Sequence, residues 1–121
     1  MKKFAFFAFL FVTFSTVAYA TDTYECDYTS YSDQKGNHKE GMKITFMVDP
    51  ENGKSYVIGN NGSEEVLLVK NSNGLGFVEV TNSGNVMSTA ISGDMNSVHS
   101  RNSIMGNNII PSQYYGTCVK K

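Results

Sequence analysis

The chain has 121 residues, with 10 basic against 11 acidic side chains, two histidines, two cysteines and no tryptophan. A net charge of −1, scattered rather than blocked, argues against a nucleic-acid partner and against a polybasic membrane surface. The length suits one domain, and its single pair of cysteines separates it from the small, disulfide-dense scaffolds.

Residues 1–20 read as a signal peptide. Lys2 and Lys3 form a basic start, Phe4 to Phe14 an apolar stretch, and Ala18-Tyr19-Ala20 the small-residue site after which a signal peptidase cuts. The apolar stretch is shorter than the ~18 to 20 residues a spanning helix needs, so no membrane insertion of the mature chain is expected. Cleavage after Ala20 leaves residues 21–121 as a single all-β domain in the periplasm or outside the cell, with 8 basic groups, 11 acidic ones and a net charge of −3. In an exported chain an even pair of cysteines is most simply a disulfide, Cys26 to Cys118.

The mature chain shows no helical periodicity. Short runs of apolar alternation, broken by Gly, Asn, Asp or Pro, predict an antiparallel meander of eight strands. In chain order they are YECDYTSY (Tyr24 to Tyr31), MKITFMVD (Met42 to Asp49), SYVIG, EEVLLVK (Glu64 to Lys70), LGFVEVT, VMSTAIS, NSVHSRNSIM (Asn96 to Met105) and SQYYGTCVK (Ser112 to Lys120). SDQKGNHKEG (Ser32 to Gly41) is the longest polar loop and is expected at one mouth. DPENGK, NNG, NSNG, NSGN, SGDMNS and GNNIIP are the connections, all short enough for hairpins. An open sheet of eight would leave two exposed edges. Cysteines in the first and last strands bring those edges together, so a small closed barrel or a strongly curled sheet is expected, its interior mostly filled by its own side chains.

NSVHSRNSIM holds the chain's one arginine and one of its two histidines. Strand alternation puts Val98, Ser100, Asn102 and Ile104 on one face and His99, Arg101, Ser103 and Met105 on the other. Ser100 and His99 therefore face apart, which counts against a serine–histidine pair. His99 and Arg101 share a face and are the first binding candidates, able to converge on an anion or on Glu79 or Glu65 across the sheet. The competing expectation is a solvated or salt-bridged polar face. In SQYYGTC, Tyr114, Gly116 and Cys118 share one face and Tyr115 and Thr117 the other. Tyr114 is expected beside the bridge and Gly116 at a bulge or close backbone packing, while Tyr115 is the third binding candidate, an aromatic with a hydroxyl handle.

No metal and no cofactor is expected. His38 and His99 stand 61 positions apart without acidic or thiol partners at ligand spacing, and Asp49, Glu51 and Gly53 in DPENG read as a hairpin turn before a calcium loop. Glu64 and Glu65 alternate faces and form no acid/base dyad.

TDTYEC near the mature start and the terminal TC, on either side of the meander, resemble the periplasmic inhibitors of c-type lysozyme. That resemblance implies a bacterial envelope barrel that plugs a partner enzyme's active site. The family's inhibitory loops carry an S-G-x-x-Y pattern and tryptophan; here ISGDMN has Ser92-Gly93 followed by Asn96 in the tyrosine's place, so the inhibitory site is not carried over. VHSRNSIM and SQYYGTC also look like segments of small uncharacterised exported bacterial or phage-associated proteins, a similarity that implies no function. The expectation is a monomeric, non-enzymatic binding protein for a small ligand or for an envelope or extracellular protein. The alternatives are an envelope inhibitor of a hydrolase and an enzyme using His99 and Arg101 with Tyr115 nearby.

Overall fold

In the computed structural model the described residues are 21–59 and 62–121, and the signal-peptide reading lies outside them. They contain nine strands and no helix: β1 (Asp22–Asp33), β2 (Gly36–His38), β3 (Met42–Val48), β4 (Ser55–Gly59), β5 (Gly62–Asn71), β6 (Gly74–Val80), β7 (Val86–Ser92), β8 (Asn96–Met105) and β9 (Asn108–Lys120). Every pairing is antiparallel. From β3 to β9 each strand pairs with the next, β3 lies beside β1, and β9 returns to β1, so eight strands close a barrel.

β2 is the extra strand. The polar segment expected as a loop turns at Gly36, whose φ of 112° only glycine adopts without strain, and folds back so that His38 lies opposite Tyr31. Nor is GNNIIP a connection: β9 already begins at Asn108, with Ile109 opposite Ile104. Pro111 fits within that strand because β9 pairs with β1 only from Gln113 onward, leaving the proline on a free edge where its missing N–H interrupts nothing. Beyond Asn102 the two strands run on as a two-stranded ribbon that exposes Ile104, Met105 and Ile109.

One end of the barrel is filled. Tyr24, Cys26 and Tyr28 of β1, Phe46 and Val48 of β3, Phe77 of β6 and Ile91 of β7 point inward and are buried. Phe46 and Phe77 stack with centroids 4.3 Å apart. Cys26 and Cys118 lie directly opposite one another on β1 and β9 and form a disulfide across the seam. Linking positions 92 apart removes unfolded-chain entropy worth about 4 to 5 kcal/mol in the chain-entropy model. At the same seam Gly116 lies opposite Tyr28. A Cβ there would strike the Asp27 carbonyl and stand 2.7 Å from the Tyr28 Cα, so β1 and β9 pack at this point in a way only glycine permits.

Just past that contact the ladder slips. Tyr28 pairs with Gly116 and Ser30 with Tyr115, leaving Thr29 as a one-residue bulge on β1. Before the bulge the even-numbered residues of β1 face inward; after it Tyr31 does, opposite Tyr114. The bulge expected around Gly116 is therefore real, but its extra residue belongs to the partner strand.

Candidate functional site

Toward the other end, where β3 begins and β6 ends, the interior is open. A cavity of about 420 Å³ lies between Met42 and Ile44 on one side and Glu79, Met87, His99 and Arg101 on the other, with Val57 and Glu64 in its wall and Lys43 also along its lining. The barrel is thus filled at one end only, where a mostly filled interior was expected. A volume of this size is in the range of small-ligand sites.

His99 and Arg101 do share a face, and it is the inward one. His99 is only 3% exposed. The expected solvated polar face does not occur, because in β8 the alternation runs against hydropathy: Ser97, His99 and Arg101 turn in, while Asn102 and Ile104 are exposed. Burial of these polar groups is compensated by hydrogen bonds. Tyr28 Oη and Ser97 Oγ are 2.8 Å apart, and the Ser97 hydroxyl donates to the Ala90 carbonyl at 2.9 Å. Arg101 Nε–H donates to His99 Nε2 at 3.0 Å, so Nε2 carries no proton; the ring's N–H is therefore on Nδ1 and donates to Thr89 Oγ1 at 2.7 Å. Burial, and secondarily the Arg101 charge, lowers the pKa of His99 to about 4. The imidazole is neutral at pH 7 and has both nitrogens engaged.

Arg101 is fixed on three sides. Besides the bond to His99, its Nη2 donates to Met42 Sδ at 3.1 Å and its guanidinium lies over the Tyr114 ring, 5.3 Å from the centroid. Among the described residues it makes no salt bridge. Glu79 lies in the same row of the ladder, since Glu79 pairs with Met87 and Met87 with Arg101. Two strand spacings separate the ends of that row at the backbone, about 10 Å. The Glu79 carboxyl is raised above the ordinary range chiefly by burial, then by the Glu64 charge and a hydrogen bond with Glu64; Arg101 pulls it partly back. Glu65, the other anticipated partner, is exposed and sits opposite Tyr56 on the far face.

The third candidate, Tyr115, is not part of this arrangement. It is exposed, its hydroxyl donates to Gln113 Oε1 at 3.1 Å, and it lies 3.0 Å from Ser32 Oγ, all on the outer face. Tyr114 faces the site instead. Rather than packing beside the disulfide, its ring stacks on Tyr31 with centroids 5.0 Å apart, and Tyr31 stacks in turn on His38 at 4.7 Å. His38 Nε2 lies 2.8 Å from Asp33 Oδ1, and that bond holds the Asp33 carboxyl below its usual range. The series Arg101, Tyr114, Tyr31, His38 is a continuous stack along the seam.

Glu64, Met42 and Met87 are site residues that the strand pattern alone does not single out. Counting the ladder outward from the turns at Thr81–Asn85 and Ser92–Asn96 places Glu79, Met87 and Arg101 in one row, and that is the signal that finds Met87. The Ser92–Asn96 turn itself closes β7 to β8 at the filled end, away from the cavity.

Comparison of the chain with protein-family models, with curated proteins and with solved structures finds no match.

Proposed function

We propose that the protein is an exported, non-enzymatic binding protein that takes a small ligand into the open end of its barrel. The observation that carries this reading is Arg101: a guanidinium inside the barrel, oriented by a neutral histidine and an aromatic face, with no salt-bridge partner among the described residues. A charge kept for folding alone is normally paired. This one is positioned toward a cavity of about 420 Å³, as recognition requires. The state of His99 supports binding over catalysis, since a ring with both nitrogens bonded and a pKa of about 4 has no free nitrogen with which to move a proton at neutral pH. Export agrees with the disulfide and with the reading of residues 1–20. No helix among the described residues is long and apolar enough to cross a membrane.

The test is occupancy of the cavity. The neutral fluorescent probe N-phenyl-1-naphthylamine is titrated into the folded protein and into Val57→Trp, whose larger side chain fills the cavity. Saturable binding to the wild type that weakens at least tenfold in a folded Val57→Trp is expected. Equal binding by both proteins, or none by either, overturns the reading.

A further inference from the structure

The cavity wall presents opposite charges at a fixed separation. Arg101 and Glu79 occupy the two ends of one ladder row, with the apolar Met87 between them. Both side chains line the same cavity, yet they do not close on each other into a salt bridge. Arg101 is restrained by His99, Tyr114 and Met42, while Glu79 neighbours Glu64. A guanidinium has five N–H donors, and the contacts to His99 and Met42 use two of them. The remaining donors suit a carboxylate, which guanidinium groups bind through paired hydrogen bonds. The Glu64–Glu79 pair is acceptor-rich and suits an ammonium. Met42, Ile44, Val57 and Met87 offer the intervening surface only apolar contact.

We infer that the ligand is a small zwitterion in which a short apolar spacer separates a carboxylate, held by Arg101, from a primary ammonium, held between Glu64 and Glu79. This rests on the cavity being the binding site. Neither end is satisfied by the other, so each gains from a ligand group of opposite charge. A purely anionic ligand would meet two carboxylates, and a purely cationic one the guanidinium. Only a molecule carrying both charges avoids both repulsions. A free amino acid with a distal amine matches this chemistry in full, and a dipeptide shares the two charged ends but carries a polar amide between them.

Isothermal titration of the wild-type protein with 6-aminohexanoate, hexylamine, hexanoate and the dipeptide glycyl-leucine tests it. One of the two zwitterions is expected to bind at least tenfold more tightly than both hexylamine and hexanoate. Tighter binding of glycyl-leucine assigns the source as peptide, tighter binding of 6-aminohexanoate as free amino acid. In Arg101→Gln the advantage over hexylamine should disappear, and in Glu79→Gln the advantage over hexanoate. The wild-type series decides the matter even where a variant does not fold. If a singly charged probe equals the zwitterions, or if none of the four binds while N-phenyl-1-naphthylamine does, the zwitterion is overturned and the cavity reading stands. If the dye also fails, the cavity reading falls with it.

Discussion

Arg101 is held by His99 through a bond in which the histidine is the acceptor, Nε–H to Nε2 at 3.0 Å. Two groups usually listed together as basic therefore play opposite parts: one carries the charge and the other, neutral, aims it. Thr89 fixes the direction by accepting the Nδ1–H hydrogen bond on the far side of the ring.

This arrangement makes stability depend on pH. The folded pKa of His99 is about 4 against an ordinary 6.5, so between these values the unfolded chain takes up a proton that the folded one refuses. The contribution is complete above about pH 6.5, declines as pH falls toward 4, and falls no further below that, a loss on the order of 3 kcal/mol. Urea unfolding at pH 7 and pH 4.5 should show this loss in the wild type and a flatter response in His99→Gln. The His99 ring protons in an NMR titration should keep their neutral shifts down to pH 5; a midpoint near 6.5 would contradict the buried, bonded ring.

Removing the seam disulfide should be costly. Cys26→Ser combined with Cys118→Ser is expected to lower unfolding free energy by about 4 kcal/mol, read from denaturant midpoints. Thiol labelling of the native protein should find neither cysteine free.

Gly116→Ala should lower stability by about 3 kcal/mol or prevent folding, because the added methyl group meets β1 backbone atoms that cannot retreat without breaking the ladder. Gly41→Ala is the control. Its Cβ would sit 3.8 Å from the Tyr28 carbonyl oxygen, an ordinary contact, and a change within about 0.5 kcal/mol is expected in the same thermal-melt series.

Tyr28→Phe isolates the buried hydroxyl bond to Ser97. Ser97 keeps its bond to the Ala90 carbonyl, so no donor is orphaned and the cost should be about 1 kcal/mol in urea unfolding. Burial raises the Tyr28 pKa, with the Ser97 bond opposing it in part. Tyr31 is raised as well, so alkaline absorbance titration should show both tyrosines ionising late in the wild type and one fewer late group in Tyr28→Phe.

The hairpins and the closed barrel were legible because turn residues mark each reversal and the cysteines stand in the first and last strands. Which way β8 faces was harder to read. Its hydropathy alternation is weak, and here the apolar Ile104 faces out while His99 is buried, so face assignment depends on neighbours far away in sequence. Tyr31 was illegible for another reason: one extra residue, Thr29, changes no composition and leaves no motif, yet it reverses every side chain after it. Tyr114 and Tyr115 are adjacent and alike, and only the register against β8 tells which one lies beneath Arg101. Glu64 reaches Glu79 across a hairpin whose register the strand pattern leaves open.

The slip at Thr29 divides the barrel into two sectors with separate rules. Upstream of it the first strand answers to the sealed end, where volume and the cysteine bridge set what is allowed. Downstream it answers to the open end, where the stack from Tyr31 to Arg101 sets the chemistry. Losing that one residue would exchange inside for outside along the upper strand without displacing Tyr24, Cys26 or Tyr28. The open end can therefore be given a new lining by substitution, while its length at this point must stay fixed.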